Sequence, residues 1–435
     1  MGLLLLQLDG LSRPALQAHL AAGRMPFLRS LLGSSHRLHS MFSGLPSTTP
    51  AFQGEFFYGV RQCVPAWCFR DRQTGQLAQL LDCEVARQRE QSLRRQGPGL
   101  LEGGVAYSCL LSGGARRVCF GAGQEFSQHL TQLRRLWKKL PKVAALSMSE
   151  AGATVWQALR GPRGWQQTRD ELAFLPKRVV VDVVVEQFMR AALLRDLEQR
   201  VPVLYANFLG YDCLSHLRGP YSRYAGQALS ATDRTLRQLY ATAEQAGYQT
   251  WIFSDHGHET TEPYHLEGPG VLARSLGEGA LVADYGPVAH VYLQEDKASL
   301  ATRLVERLGV PQVMYADRRG VMVRNARGLW RLPEDGQQVV GAQHPFAPQA
   351  MEDLQRMAHH PEAGDVVALG FDAGRRLSFV REYGGHGGPG PEETHAFALL
   401  PQQVRLGGSM RPLDLRQAAL GILRPQAEKV LSYAR

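Results

Sequence analysis

Apolar positions in this chain gather into short runs that end on a polar residue and give way to helical spacing. That alternation predicts a mainly parallel α/β sheet. Leu3 to Leu8 is the first such run, followed by Val203 to Leu209 and Tyr248 to Phe253. The third is preceded by a helix whose Leu229, Thr232, Leu236, Leu239 and Ala243 recur at spacings of three and four, stopped by Gly247. Further strands are expected around Asp365 to Leu369 and Leu377 to Arg381, ahead of a glycine-rich loop from Gly384 to Gly390.

The alternation breaks between Gly59 and about Arg200, where Gly- and Arg-rich turns and basic helices take over, and again from Gly286 to Pro345. Residues 1–60, 200–285 and 346–435 are therefore expected to form the α/β core. Residues 61–199 are expected as an inserted cap lying over the sheet, and 286–345 as a smaller insertion with short strands at Val291 to Leu293 and Gly320 to Val323 around a helix from Ala298 to Leu308.

The 435 residues, 44% of them apolar, suffice for one large core or two unequal domains. A formal charge of +9 favours anionic partners without choosing among them. Six scattered cysteines lack a CxxC pair, so reduced thiols are expected. The Leu3 to Leu8 run has no basic leader and ends in Asp9, which reads as a buried strand rather than a signal peptide. No uncharged stretch approaches the roughly 20 residues that span a bilayer, and a cytoplasmic location is expected.

Asp9, Asp212 and Asp255 each stand at or just after the end of a predicted strand, where open α/β sheets place ligands. Asp212 has His216 four residues on, and Asp255 is followed directly by His256, a mixture of carboxylate and imidazole that suits zinc better than magnesium or calcium. Taken singly, a post-strand aspartate serves equally well as a helix N-cap. Between the first and second of these positions, Leu45, Pro46, Ser47, Thr48, Thr49 and Pro50 precede an apolar helical stretch from Ala51 to Gly59. Thr49 as N-cap and Pro50 as first helical residue would put a hydroxyl at the positive end of a helix; an ordinary capping turn fits the hexapeptide too. Metal coordination is one of the few ways to activate an unassisted threonine.

Asp9-Gly10-Leu11, Pro46 to Thr49, Tyr211-Asp212 with His216, Ser254 to Gly257, and Gly385-His386-Gly387 together resemble the alkaline phosphatase superfamily, and within it the type I phosphodiesterase/nucleotide pyrophosphatase group. The resemblance implies a three-layer α/β sandwich with a mainly parallel central sheet and inserted cap segments. It also implies two divalent metal ions, zinc with manganese as the alternative. Asp212, His216 and His386 would bind one, and Asp9, Asp255, His256 and the Thr49 oxygen the other. Thr49 would attack an anionic phosphate ester and pass through a phosphothreonine. No specific nucleic-acid partner is expected.

The nucleotide-cleaving members place an asparagine three residues after the nucleophile, where this chain has Phe52, with Gln53 adjacent. Pro50 removes one amide, leaving those of Thr49, Ala51 and Phe52 as oxyanion donors. Thr48 is the rival nucleophile, since Thr48-Thr49-Pro50 also fits a T-x-P pattern; Pro46 and Gly59 keep the family spacing around Thr49. The turn lacks the Cys/Ser-x-Pro-x-Arg pattern of sulfatases. A phosphotransferase or mutase of the same superfamily, or a non-catalytic metal-stabilised binding module, are the alternatives. His258, His265 and His395 are candidates for orienting ligands or touching substrate. The Gly384 to Pro391 loop reads either as a lid or as a turn bringing His386 to the metal. Phe126 to Leu140 is amphipathic and basic, and Val179 to Val185 is either strand or helix.

Overall fold

The computed structural model describes residues 2–125, 128, 131, 185–263, 270–372 and 374–433. All but two residues of the basic amphipathic stretch Phe126 to Leu140, nearly all of Val179 to Val185, and His265 lie outside the described residues.

The central sheet has seven strands, in the order His36–Phe42, His395–Pro401, Tyr248–Phe253, Gly2–Leu8, Val203–Phe208, Val105–Tyr107 and Arg117–Cys119. Five neighbouring strands run parallel, and His395–Pro401 runs antiparallel to both of its neighbours. Because strand side chains alternate between faces, the leucine run divides. Leu4, Leu6 and Leu8 pack with the helices Arg13–Ala21, Glu186–Glu198 and Arg223–Gln245. Leu3 and Leu5 pack with Phe52, Phe56 and Phe57 of the helix Thr49–Tyr58 and with Leu415 and Ala419 of Pro412–Tyr433. A leucine-rich strand with no polar face can be stable only when covered on both sides, at roughly 2 kcal/mol for each fully buried leucine. The result is the expected three-layer α/β sandwich.

Residues 61–199 do more than lie over that sheet. Their segments Val105–Tyr107 and Arg117–Cys119 complete one edge of it, and Glu186–Glu198 covers one face. Each of these strands has only three residues, too short to leave an alternating pattern. The second region is a six-stranded antiparallel sheet ordered Leu281–Tyr285, Val288–Tyr292, Val366–Leu369, Gln312–Asp317, Gly320–Asn325 and Gly328–Leu332. It extends beyond 286–345 on both sides. Val366–Leu369, which the sequence pattern puts with the core, is instead one of its central strands. The expected helix appears as Lys297–Glu306, capped by Asp296.

Arg223–Gln245 buries the expected stripe, is capped by the Ser222 hydroxyl on the Ala225 amide, and gives way to Gly247 at φ +78°. None of the six cysteines is in a disulfide. Among the described residues, no helix is long and apolar enough to cross a membrane.

Candidate metal and phosphoryl-transfer site

Parallel pairing puts Leu8 opposite Phe208, and Gln7 opposite Phe253, so three adjacent strands end at one edge. Asp9, Asp212 and Asp255 follow those ends directly or within one helical turn. None of the three is an N-cap. Ser12 caps the first helix through the Ala15 amide, and Asp212 lies inside the helix Gly210–Arg218.

Around His256 four ligand atoms converge. Its Nε2 lies 3.3 Å from Asp255 Oδ2, 3.3 Å from Thr49 Oγ1 and 3.7 Å from Asp9 Oδ1. Thr49 Oγ1 is 3.5 Å from Asp9 Oδ1. Alongside, His216 Nε2 is 3.6 Å from Asp212 Oδ2 and 3.2 Å from His386 Nε2, and His386 Nε2 is 3.7 Å from Asp212 Oδ1. The two groups are contiguous, since Asp212 also offers an oxygen within 4.8 Å of Asp9 and His256. All seven residues picked from the sequence therefore meet in one cluster, in which Asp212 and His216 are part-exposed and the other five buried.

The protonation of the rings is set by their outer nitrogens. His256 Nδ1 faces the Gly257 carbonyl at 3.0 Å, His386 Nδ1 the Ser47 carbonyl at 2.9 Å, and His216 Nδ1 the Glu382 carboxylate at 2.6 Å. Acceptors on that side keep hydrogen on Nδ1 and present Nε2 to the cluster. Asp255 Oδ1 accepts the Gly10 amide at 3.2 Å, while its Oδ2 is buried with no hydrogen-bond partner. Asp9 accepts from the Asn207 side-chain amide.

Electrostatically the cluster sets three carboxylates against the imidazoles beside them. Burial, with the charges of Asp255 and Asp212, holds Asp9 well above the usual carboxylate range. Burial raises Asp255 as well. Burial alone would also raise Asp212, yet the imidazoles of His216, His258 and His386 pull it below the ordinary value. Three carboxylates crowded out of water, an orphaned Oδ2 and three inward-facing Nε2 atoms form a donor set that suits divalent cations.

The threonine turn differs from expectation by one residue. Thr48, not Thr49, is the N-cap, and it makes no side-chain capping bond. Its hydroxyl is buried without a partner, whereas that of Ser47 bonds to the Gly388 carbonyl and Glu393. The hydroxyls therefore do not form a capping turn, and Thr49 alone of the three approaches the cluster. The Phe52 amide donates to the Thr48 carbonyl at 3.0 Å, so it is no longer an oxyanion donor. Phe52 itself packs against Phe56 and Phe253, on the core side. Gln53 donates to Tyr205 and accepts the Leu110 and Leu111 amides, so neither residue takes the place of the asparagine.

The Gly384 to Pro391 loop is pinned rather than lid-like. Gly384–Gly385 pairs with Glu259–Thr260, and the Gly388 and Gly390 amides bond to Glu393. His395 bonds to Ser40 and stacks edge-on to Phe346, away from the cluster. His258 does join it, with Nε2 2.8 Å from Asp212 Oδ1. Asn207, Glu382 and Glu393 were not singled out from the sequence. Asn207 lies inside an apolar strand, and a lone glutamate in a loop has no spacing signal.

The model of the family described as type I phosphodiesterase / nucleotide pyrophosphatase matches residues 128–368, more than half of the chain. The chain belongs to that family, in the alkaline phosphatase superfamily. The matched span contains Asp212, His216, Asp255 and His256; Asp9, Thr49 and His386 lie outside it. Among solved structures, phosphonoacetate hydrolase from Sinorhizobium meliloti 1021, in complex with phosphonoformate, is similar at 15% identity and a TM-score of 0.55, covering 97% of this chain and 96% of that one. Murine ectonucleotide pyrophosphatase / phosphodiesterase 5 is similar at 13% identity and a TM-score of 0.56, covering 98% and 95%. Its human counterpart is similar at 12% identity and a TM-score of 0.54, again covering 98% and 95%. No curated protein matched the chain.

Proposed function

We propose that this chain is a two-metal hydrolase of anionic phosphate esters with Thr49 as nucleophile. The observation that carries the reading is Thr49 Oγ1 at 3.3 Å from His256 Nε2 and 3.5 Å from Asp9 Oδ1, while the Thr48 hydroxyl touches no partner. Asp212, His216 and His386 would hold one ion, and Asp9, Asp255, His256 and Thr49 Oγ1 the other. Zinc suits this mixed set, and manganese is the alternative. When bound, the pair supplies the positive charge that favours a threonine alkoxide and neutralises the phosphoryl oxygens.

The chain's own groups do the rest. Glu382 and the Ser47 carbonyl orient His216 and His386, and Asn207 orients Asp9. Thr49 at the first helical position and Ala51 at the third present amides toward a phosphoryl oxygen, Pro50 between them having none. Thr49 Oγ1 forms a bond to phosphorus in line as the bond to the leaving oxygen breaks. Water then cleaves the phosphothreonine, giving phosphate or a phosphomonoester and restoring the hydroxyl.

The test is a panel of p-nitrophenyl phosphate, its bis ester, a nucleotide p-nitrophenyl ester and phosphonoacetate, assayed before and after chelation and in Thr49→Ala. The expected result is chelator-sensitive turnover of at least one ester, lost in Thr49→Ala. Equal behaviour of wild type and Thr49→Ala, with no metal-dependent turnover in either, would favour a binding module.

A further inference from the structure

The amides at Thr49 and Ala51 serve phosphoryl oxygens on the side of the nucleophile. In-line displacement sends the leaving oxygen out on the opposite side, toward the group formed by Asp212, His216 and His386. There the fold places Tyr285, carried in from the second sheet. Its ring lies edge-on to that of His216, with centroids 6.4 Å apart.

Two elements fix that ring. Tyr285 ends the strand Leu281–Tyr285, pairs with Val288, and is joined to it by the turn Gly286-Pro287. The turn is seated on the site: Gly286 adopts φ +62°, and a Cβ on it would come within 2.8 Å of the His386 carbonyl oxygen and 3.2 Å of Glu382 Oε1. The Phe379 amide secures it further, donating to the Gly286 carbonyl at 2.8 Å. From the 61–199 region, the indole of Trp67 stacks on the Tyr285 ring at 5.0 Å and 20°. Both rings are part-exposed, so the pair stands at the rim of the cluster. The hydroxyl end of Tyr285 faces inward. Burial, then the charges of Glu382, Asp212, Cys213 and Asp9, hold the phenol well above its ordinary value. Asp9 follows the central strand, and its charge reaches only an oxygen turned toward the cluster. A phenol that keeps its proton is a hydrogen-bond donor.

We propose that Tyr285 is a catalytic residue whose hydroxyl donates to the leaving oxygen of the phosphate ester, extending the substrate class from activated aryl esters to esters of weakly acidic alcohols. This rests on the two-metal reading above, with Thr49 as nucleophile. As Thr49 Oγ1 bonds to phosphorus, the bond from phosphorus to the leaving oxygen breaks, and its electron pair stays on that oxygen. Tyr285 keeps its proton and shares it with the developing charge; water then protonates the departing alcohol. Such a donor contributes in proportion to the charge it meets, which is concentrated on an alkoxide and spread over the ring of p-nitrophenolate.

Tyr285→Phe removes only the oxygen and keeps the stack on Trp67. Wild type and this variant are compared on p-nitrophenyl, phenyl and ethyl phosphate, or on the corresponding methyl diesters where the chain prefers diesters. The readout is kcat/KM, which reports formation of the phosphothreonine even where its hydrolysis limits kcat. The expected loss is about 3-fold on the p-nitrophenyl ester, about 10²-fold on the ethyl ester, and intermediate on the phenyl ester. Zinc content should stay at the wild-type level, and orthovanadate, whose apical oxygen takes the leaving position, should bind about 10-fold more weakly. An equal loss on every ester would assign Tyr285 to a phosphoryl oxygen and overturn the proposal, as would no loss at all. Loss of an ion would make Tyr285 a support of the metal site and overturn it too. Should Tyr285→Phe fail to fold, Tyr285→Leu carries the same comparison. A wild-type chain with no chelator-sensitive turnover of any ester would instead remove the two-metal reading, and this inference with it, before any variant is made.

Discussion

The Nε2 atoms of His216 and His386 face each other across 3.2 Å, and each ring already directs its Nδ1 hydrogen elsewhere, to Glu382 and to the Ser47 carbonyl. Two neutral rings so held would meet lone pair to lone pair, so the gap calls for a cation. Without metal that cation is a proton. Burial opposes it, but Asp212 and Glu382 raise His216 to about 9. Zinc uptake near pH 7 should therefore displace about one proton or more per chain, and its affinity should strengthen as pH rises toward 9. Calorimetry in buffers of different ionisation enthalpy measures the displaced protons, and melting with and without zinc should show a rise of a few degrees. Uptake without proton release would mean the facing rings do not share the ion.

Thr48 and Thr49 are adjacent, both buried, and opposite in environment: one hydroxyl has no partner and the other lies against Asp9 and His256. Thr49→Ala should lower turnover of the preferred ester at least about 10³-fold, while its melting temperature stays within a few degrees of wild type. Thr48→Ala should remain within about 10-fold. Trapping labelled phosphate on the chain and locating it by mass spectrometry gives an independent reading. Label on Thr48 would reverse the assignment.

How much of this could be read in advance follows from how each feature is encoded. Asp9, Asp212 and Asp255 were legible because a parallel sheet with crossover helices carries its strand ends to one edge, and the apolar runs mark those ends. The helix Arg223–Gln245 was legible because its buried stripe repeats from Ala225 to Ala243. Val105–Tyr107 and Arg117–Cys119 were not, since three-residue strands carry no periodicity. The place of Val366–Leu369 in the second sheet was hidden because a buried apolar run reads alike in either sheet. His258 was visible as a histidine but not as Asp212's partner, because the contact spans 46 residues and depends on the turn at Gly10.

Phe52 replaces the asparagine that nucleotide-cleaving relatives use, and its ring is built into the core, 1% exposed. Restoring the asparagine should not restore a phosphate donor. Phe52→Asn would leave a cavity beside Phe56 and Phe253 and bury an amide there, at a cost of about 3–5 kcal/mol. Urea unfolding should show that loss, with no gain in turnover of a nucleotide p-nitrophenyl ester relative to simpler esters. A stable variant with a selective gain on the nucleotide ester would show that the side chain can reach the site.

Glu393 ties the His386 loop to the threonine turn. Its carboxyl accepts the Gly388 amide at 2.7 Å, the Gly390 amide at 2.8 Å and the Ser47 hydroxyl at 3.0 Å, and the Ser47 carbonyl in turn holds His386. Burial, reinforced by the charge of Glu259, pushes its carboxyl up to about 8. Between the unfolded value, about 4.3, and about 8, the native chain keeps a proton that the unfolded chain has released. Stability from this group is therefore full below about pH 4.3 and is lost as pH rises through about 8, a change on the order of a few kcal/mol. Glu393→Gln cannot titrate, so its unfolding free energy relative to wild type should climb steadily from pH 5 to pH 8. Urea unfolding of both proteins across that range, at a fixed chelator concentration, measures the difference. A difference that does not vary with pH would mean that Glu393 ionises as an ordinary carboxyl, and that its three donors outweigh its burial.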